Sequence, residues 1–463
     1  MQISSDKHSA FSLLAKRFGA IQEDQRNHQT EFDLPQNYCS KPVLMAVLTV
    51  MALTPFSADA LTQNQISVLD GLASTCVNDT TPPPCLLYNN ITPYGGNIDT
   101  GTLNEVIPDE IAAQGSAAVD FGFRQLGIIH GRILNLRNKK RESLLVGSSS
   151  LDLNSKNILR GNSLASLKSG LGGAAGDDNS TDALRDDPLG FFIKGQFNIG
   201  EKNKTDNVQG YKNDRQAVTL GLDYTFTDAL VLGLSFGYAS THTDFINSNG
   251  KMDADSFDFA SYGSYFLPKD FYVDWIFSYG RHDFDMKRTV AGTSALSKPT
   301  GDQYGFSLGL GNDIAIRSFV INPYARFEYM KTDIAKYSET GGAGLGVDVG
   351  KQALDSVTTT LGSQVSQSIS MPWGILSPSI RAEWVHQYKN NTRFIQGRFN
   401  TGDPGTGNFS IVTDSPDRNY FNVGTSLALT LPEGKAAYLR YEYRLGQRDY
   451  IDHTVELGAR IPF

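Results

Sequence analysis

The chain runs to 463 residues, with 45 glycines, 11% aromatic residues, 19% charged residues and a formal net charge of -8. An acidic balance argues against a nucleic-acid binder, which needs a basic surface. No apolar run of about 18 residues occurs beyond position 60, which argues against a helical membrane protein.

In chain order, the first pattern is Lys41-Pro42, an apolar run from Val43 to Leu53, and then Ala58-Asp59-Ala60. A positive residue, a short hydrophobic core and an A-x-A site read as a secretory signal with cleavage after Ala60. Residues 1–60 then form an extended signal region. The polar residues ahead of the core fit either a long signal or a true start at Met45. Cys39 leaves with that region, and Cys76 and Cys85 remain. No histidine or further cysteine stands near them to complete a four-ligand metal site, so a disulfide is expected in an oxidising compartment.

Residues 61–145 read as a short passenger-like region. Within it, Pro108-Asp109-Glu110 opens a helical pattern through Leu126, Ile129, Ile133 and Leu136, with Arg137, Lys139, Lys140 and Arg141 at its end. Residues 146–187 are rich in small and polar residues and read as a flexible linker that could include a lumen helix. H-E-x-x-H and Walker patterns are both missing. The chain therefore reads as a non-enzyme, with no cofactor and no metal.

From residue 188 onward the period changes to two. Val218, Leu220, Leu222, Tyr224 and Phe226 alternate with Ala217, Thr219, Gly221, Asp223 and Thr225, and Phe271, Val273, Trp275, Phe277 and Tyr279 alternate around Asp274 and Ser278. Twelve such segments are expected, at 189–200, 215–226, 229–241, 255–267, 270–283, 302–315, 319–332, 353–368, 373–388, 420–431, 436–447 and 452–463. Each is long enough for a tilted crossing of a hydrocarbon layer. Short turns alternate with long connections at 242–254, 284–301, 333–352 and 389–419, as when short turns face the periplasm and long loops face outside. The fold class is all-β: a twelve-stranded antiparallel transmembrane β-barrel over 188–463, preceded by a small, partly helical N-terminal region.

A water-filled barrel wants its inner face polar, where a soluble sandwich would pack Val, Leu and Ile. Lys194, Arg326, Glu328, Arg381, Glu383, Arg440, Glu442, Arg444, Glu456 and Arg460 are accordingly assigned to the lumen, together with Asn198. This charged ladder is read as gripping a helix rather than processing a passenger. Asp452-His453 reads as a solvated loop end. The final strand turns Val455, Leu457, Ala459, Ile461 and Phe463 toward lipid.

Several runs together carry a resemblance. They are Asp255-Ser256-Phe257 leading to Tyr262-Gly263-Ser264-Tyr265, Tyr272-Val273-Asp274 with Ser278-Tyr279-Gly280-Arg281, Pro323-Tyr324-Ala325-Arg326, Trp384-Val385-His386, Thr413 to Asn422, and His453-Thr454-Val455 with the terminal Phe463. From Pro188 to Phe463 the chain resembles the autotransporter β-domain of Gram-negative type V secretion. The resemblance implies a twelve-stranded barrel in outer-membrane lipid, reached through the Sec translocon and periplasmic chaperones. It implies insertion by the barrel-assembly machinery, which reads a C-terminal strand ending in an aromatic residue. It also implies that the segment just before the first strand runs as a helix through the lumen, so that residues ahead of it emerge outside. Family members normally export several hundred residues, whereas about 120 lie between Leu61 and Ala183 here, and no Asn-Asn junction is evident. A passenger that stays attached is favoured. Two other readings remain: a porin-like channel plugged by the N-terminal segment, and a surface adhesin acting through the loops at 284–301 and 389–419, with its partner unknown.

Overall fold

The computed structural model describes residues 61–76, 81–93, 98–148, 188–246, 248, 250–401, 403, 405–431 and 435–462; the side chains of 138–148 and 460–462 are outside that description. The expected signal region, the linker from 149 to 187 and Phe463 also lie outside the described residues.

Strands with apolar residues at every second position need grease on one face of the sheet and water on the other. In chain order they are β1 (Leu189–Lys202), β2 (Tyr211–Thr227), β3 (Leu230–Phe245), β4 (Lys251–Phe266), β5 (Phe271–Val290), β6 (Thr293–Ser297), β7 (Thr300–Asn312), β8 (Ile314–Ile316), β9 (Phe319–Ile334) and β10 (Tyr337–Ser338). There follow β11 (Thr340–Gly341), β12 (Val347–Val349), β13 (Gln352–Gln367), β14 (Ile369–Met371), β15 (Gly374–Gln387), β16 (Phe394–Phe399), β17 (Asn408–Val412), β18 (Asn419–Thr430), β19 (Ala436–Leu445) and β20 (Tyr450–Pro462). Twelve of them form the wall, in the order β1-β2-β3-β4-β5-β7-β9-β13-β15-β18-β19-β20, every pair antiparallel. The wall closes where β20 returns to β1, with Phe197 opposite Val455. Leu222, Phe236, Phe277 and Leu310 point outward and are exposed, whereas Thr219, Ser235, Asp274 and Ser307 point inward and are buried.

One end of the barrel carries the short turns and both ends of the barrel segment; the other carries the long connections. By the usual topology the turn end is periplasmic and the loop end is outside. Strands β2, β3, β4 and β5 overrun the expected boundaries most at the loop end. The expected loop at 242–254 is mostly the β3–β4 hairpin, and 284–301 holds the rest of β5 and its hairpin with β6. The reason is that outward positions there are His242, Asp244, Asp253, Asp255, Arg281, Asp283 and Asp285. Apolar alternation stops where lipid stops, while the backbone ladder continues into water. The change is marked by tyrosines: Tyr238, Tyr279 and Tyr329 donate hydrogen bonds to Asp255, Asp302 and Asp355 at 2.7, 2.8 and 3.0 Å. Aromatic bodies thus sit in lipid with their hydroxyls at the polar boundary.

Ahead of the barrel stand α1 (Gln63–Ser74), α2 (Pro83–Ile91), α3 (Thr100–Asn104) and α4 (Ile111–Ser148). A capping box at Thr62 and Gln65 starts α1, and proline in the first turn starts α2. The disulfide joins Cys76 to Cys85, tying the end of α1 to α2 with Cα atoms 5.0 Å apart. These three helices share an apolar core with the long connections. Val68, Leu72, Ile91, Leu103 and Val106 pack with Val347, Val349, Ile395, Phe399, Phe409 and Ile411. The latter come from a second sheet, β10-β12-β16-β17, built from the long loops. Its edge strand β17 is covered by one face of α1: Asn64 Oδ1 accepts from the Val412 amide, Ser67 Oγ from Ser410 and Ser74 Oγ from Gly407, each at 2.7 Å. A free strand edge is thereby closed. Gly71 lies on the same face, and a Cβ there would stand 3.0 Å from the Asn408 carbonyl.

The helix that fills the lumen is α4. It runs along β4, β5, β7 and β9 from the loop end, where Glu110 lies beside Gly250, to the turn end, where Arg137 reaches Asp274 and Asp313. From Ile111 to Arg137 that is about 40 Å at about 1.5 Å per residue. The expected division at 145/146 falls inside α4, which continues to Ser148. Of the segment 146–187, where a lumen helix is expected, residues 149–187 lie outside the described residues; among the described residues the lumen holds the upstream helical pattern, from Ile111 to Arg137. Polar spacing at 124, 132 and 137 suits a wet lumen, and Gly122 lets the helix approach the wall where a methyl group would collide with Gln303 and Met330.

Candidate functional site

Helix and wall meet through buried ion pairs at successive depths. Near the loop end, Arg124 holds Asp452 of β20 at 2.5 Å and donates to Thr454 at 2.6 Å, while Asp120 of the helix pairs with Arg124 at 2.5 Å and Arg444 at 3.5 Å. At mid-depth, Lys194 of β1 donates to the Ile128 carbonyl at 2.7 Å and to Glu456 at 3.1 Å. His130 meets Ser307 at 3.0 Å and Glu328 at 3.6 Å. Toward the turn end, Arg132 pairs with Asp223 of β2 at 2.6 Å and lies over the Phe192 ring at 5.0 Å. Arg137 pairs with Asp274 of β5 at 2.7 Å and lies over the Tyr272 ring at 3.6 Å. Arg124, Arg132 and Arg137 are each under a tenth exposed. Each guanidinium therefore has a carboxylate on the wall, and two of them also have an aromatic face.

The residues assigned to the lumen divide into two groups. Lys194, Glu328 and Arg444 touch α4 directly. Arg326, Arg381, Glu383, Arg440, Glu442 and Glu456 pair along the wall: Arg326 with Glu383 at 2.8 Å, Arg381 with Glu383 at 3.6 Å and with Glu442, and Arg440 with Glu456. Tyr324 adds a hydrogen bond to Glu383 at 2.6 Å. Side chains of Arg460 and Ile461, and all of Phe463, lie outside the described residues. In β20, Leu457 and Ala459 are exposed on the outer face and Val455 is half-buried there. One reading is corrected: Asp452 is no solvated loop end but 3% exposed, held by Arg124 and hydrogen-bonded by Asn198.

The main grips, Arg124–Asp452, Arg132–Asp223 and Arg137–Asp274, were not singled out from sequence. A signal for them existed. Asp223 and Asp274 stand inward near the turn end of their strands, where the adjoining inward positions Gly221, Tyr272 and Ile276 carry no charge, and a carboxylate facing a lumen calls for a cation from whatever fills it.

At the loop end, Arg288 holds Glu339 at 2.6 Å and donates to the Val106 carbonyl at 3.2 Å, fastening the link between α3 and α4 to the extended β5. Asp109 and Glu110 stand beside it. Burial pushes both carboxyls above their ordinary range; Glu110 further raises Asp109, while Arg288 opposes the shift at both.

A family model described as "Autotransporter beta-domain" matches residues 191–442, more than half of the chain. Among curated proteins, "Outer membrane protein B" of Rickettsia prowazekii (strain Madrid E) is 25% identical over 289 residues, which cover 59% of this chain and 17% of that protein. "Outer membrane protein A" of Rickettsia conorii (strain Malish 7) is 26% identical over 239 residues, covering 49% and 12%. The chain thus spans less than a fifth of the length of these relatives. Among solved structures, the translocator domain of autotransporter NalP from Neisseria meningitidis aligns with TM-score 0.49 and 17% identity, covering 61% of this chain and 91% of that one. The β-domain of the Bordetella autotransporter BrkA aligns with TM-score 0.47 and 16% identity, covering 60% and 100%.

Proposed function

The chain belongs to the autotransporter β-domain family, and from that premise we propose that its outer-membrane barrel anchors residues 61–110 at the cell surface as a retained cap. The observation that carries this reading is the course of α4. It descends from the loop end to the turn end with a wall carboxylate for each of Arg124, Arg132 and Arg137, and the segment ahead of it packs into the core of the long connections. Lys194, Glu328 and Arg444 add to the grip, and Arg326, Arg381, Glu383, Arg440, Glu442 and Glu456 pair with one another along the wall. The role is an anchor's, not an enzyme's. Val455, Leu457 and Ala459, followed by Ile461 and Phe463, are the strand that the barrel-assembly machinery would read after Sec-dependent export. Division into signal 1–60, cap and lumen helix from Leu61, linker to 187 and barrel from 188 follows from the same reading.

An epitope tag inserted near Asp79 tests it. Protease added to intact cells removes the tag if the cap is at the surface. Protection in intact cells, with removal only after the outer membrane is opened, would support the plugged porin instead.

A further inference from the structure

Beside the first turns of α4 a cavity of about 640 Å³ opens at the loop end, lined by the helix and by the β1–β2, β15–β18 and β19–β20 connections. Its interior carries an unbalanced charge. Asp120 is shared by Arg124 at 2.5 Å, Arg444 at 3.5 Å and Arg215 at 3.8 Å, while Asp452 is taken by Arg124 at 2.5 Å. Three guanidiniums thus divide two carboxylates, and Arg215 is the one left short. It is 4% exposed, lines the cavity, and none of its three nitrogens has a hydrogen-bond partner among the described residues. Its closest compensation is the face of Phe121, 4.9 Å away.

A second guanidinium lines the same space. Arg393 is half-buried, lies against α4 at Gly115 and forms no ion pair among the described residues. Burial without an opposing carboxylate pulls it down to about 10. The other charges of the lining are accounted for. Lys202 and Arg448 pair with Asp414 and Asp417 at 3.0 and 2.9 Å, and Asp206, Asp355, Lys389 and Asp449 are exposed at the rim, where water solvates them. A buried cation whose only counter-charge is a shared carboxylate 3.8 Å away is poorly compensated, and the planar guanidinium fork matches the oxygens of a tetrahedral anion.

We propose that this cavity binds a small phosphate, as the free ion or as the head of an organic monoester, with Arg215 and Arg393 as its guanidinium ligands. The volume exceeds what a bare ion needs and lies within the range of small-molecule sites. Phe123, Tyr420 and Tyr450 supply apolar surface in the lining for an organic remainder.

Phosphorus NMR or calorimetric titration of the detergent-purified full chain with inorganic phosphate, and in parallel with phenyl phosphate, tests the proposal at constant ionic strength. Saturable binding is expected, weakened about tenfold or more by Arg215→Gln and by Arg393→Gln. Asp120→Asn, which removes a competing carboxylate, strengthens it. Phenyl phosphate binding more tightly than phosphate identifies an ester as the occupant, and equal binding identifies the free ion. Arg393 stands in a connection outside the barrel wall, so its variant decides the matter even if Arg215→Gln fails to fold. Absence of saturation, or affinity unchanged in the Arg393 variant, overturns the proposal.

Discussion

The N-terminal region is held at two levels by opposite physics. At the cap, α1 to α3 bury Leu72, Ile91, Leu103 and Val106 against Phe399, Phe409 and Ile411; within the lumen, α4 is held by guanidinium–carboxylate pairs. The apolar contact is non-directional and contributes in proportion to area removed from water. Ion pairs contribute less net free energy but fix depth and rotation, because a pair misplaced by one turn leaves two buried charges unmatched. A helix that must settle in a water-lined channel is suited to the second kind of contact, and a lid closing over the outside is suited to the first.

Phe399→Ala, at the centre of the cap core, is expected to have the largest effect, about 3–5 kcal/mol on cap docking. Hydrogen exchange of residues 61–106 would rise while the barrel still migrates as a heat-resistant species. If the barrel unfolds with the cap, the two levels are not separable. Next comes the lumen: Asp223→Ala strands Arg132 and costs about 3 kcal/mol, opening a larger conductance in planar bilayers. Replacing Arg132 and Asp223 together by alanine restores part of the loss, and strictly additive losses would show that the pair does not act as a unit.

Cys76→Ser removes the link between α1 and α2 and is expected to loosen the cap by about 2–3 kcal/mol, read as faster proteolysis of the cap without a change in conductance. The pH response follows from Asp109 and Glu110, whose carboxyls are raised by burial. A raised acid holds a proton in the docked state that the undocked state releases. Docking is therefore weakest above the raised values and strengthens as pH falls through them to the ordinary carboxylate range. Glu110→Gln flattens that dependence in the hydrogen-exchange rates of the cap; an unchanged slope would assign it elsewhere. The smallest change is Tyr238→Phe, which loses an exposed hydrogen bond to Asp255 and is worth about 1 kcal/mol or less in barrel unfolding by urea.

Much of the barrel was legible because lipid imposes a simple rule. Leu220, Leu222, Phe236 and Phe277 had to alternate with small or polar residues, and the twelve segments and the alternation of short and long connections followed from that. Strand ends at 245, 251 and 290 were not legible, because beyond the tyrosines the outward face is as polar as the inward one. The upper strands then look like loop. The lumen site was half legible. Inward charges such as Glu383 and Glu456 stand out in a strand row, but which of them meets the helix depends on where α4 lies against the wall.

Residue order alone determined the period-two pattern, the cysteine pair and the inverted polarity of the wall, since each depends only on neighbours along the chain and on the solvent on either side. Tertiary structure alone decided that Arg124, Arg132 and Arg137 belong to Asp452, Asp223 and Asp274. Those partners lie between 91 and 328 positions apart, and closure of the cylinder around the helix brings them together. It also decided that the long connections become a sheet with an apolar face for the cap. No local pattern encodes that, because β10, β12, β16 and β17 are short and drawn from two loops far apart in the chain.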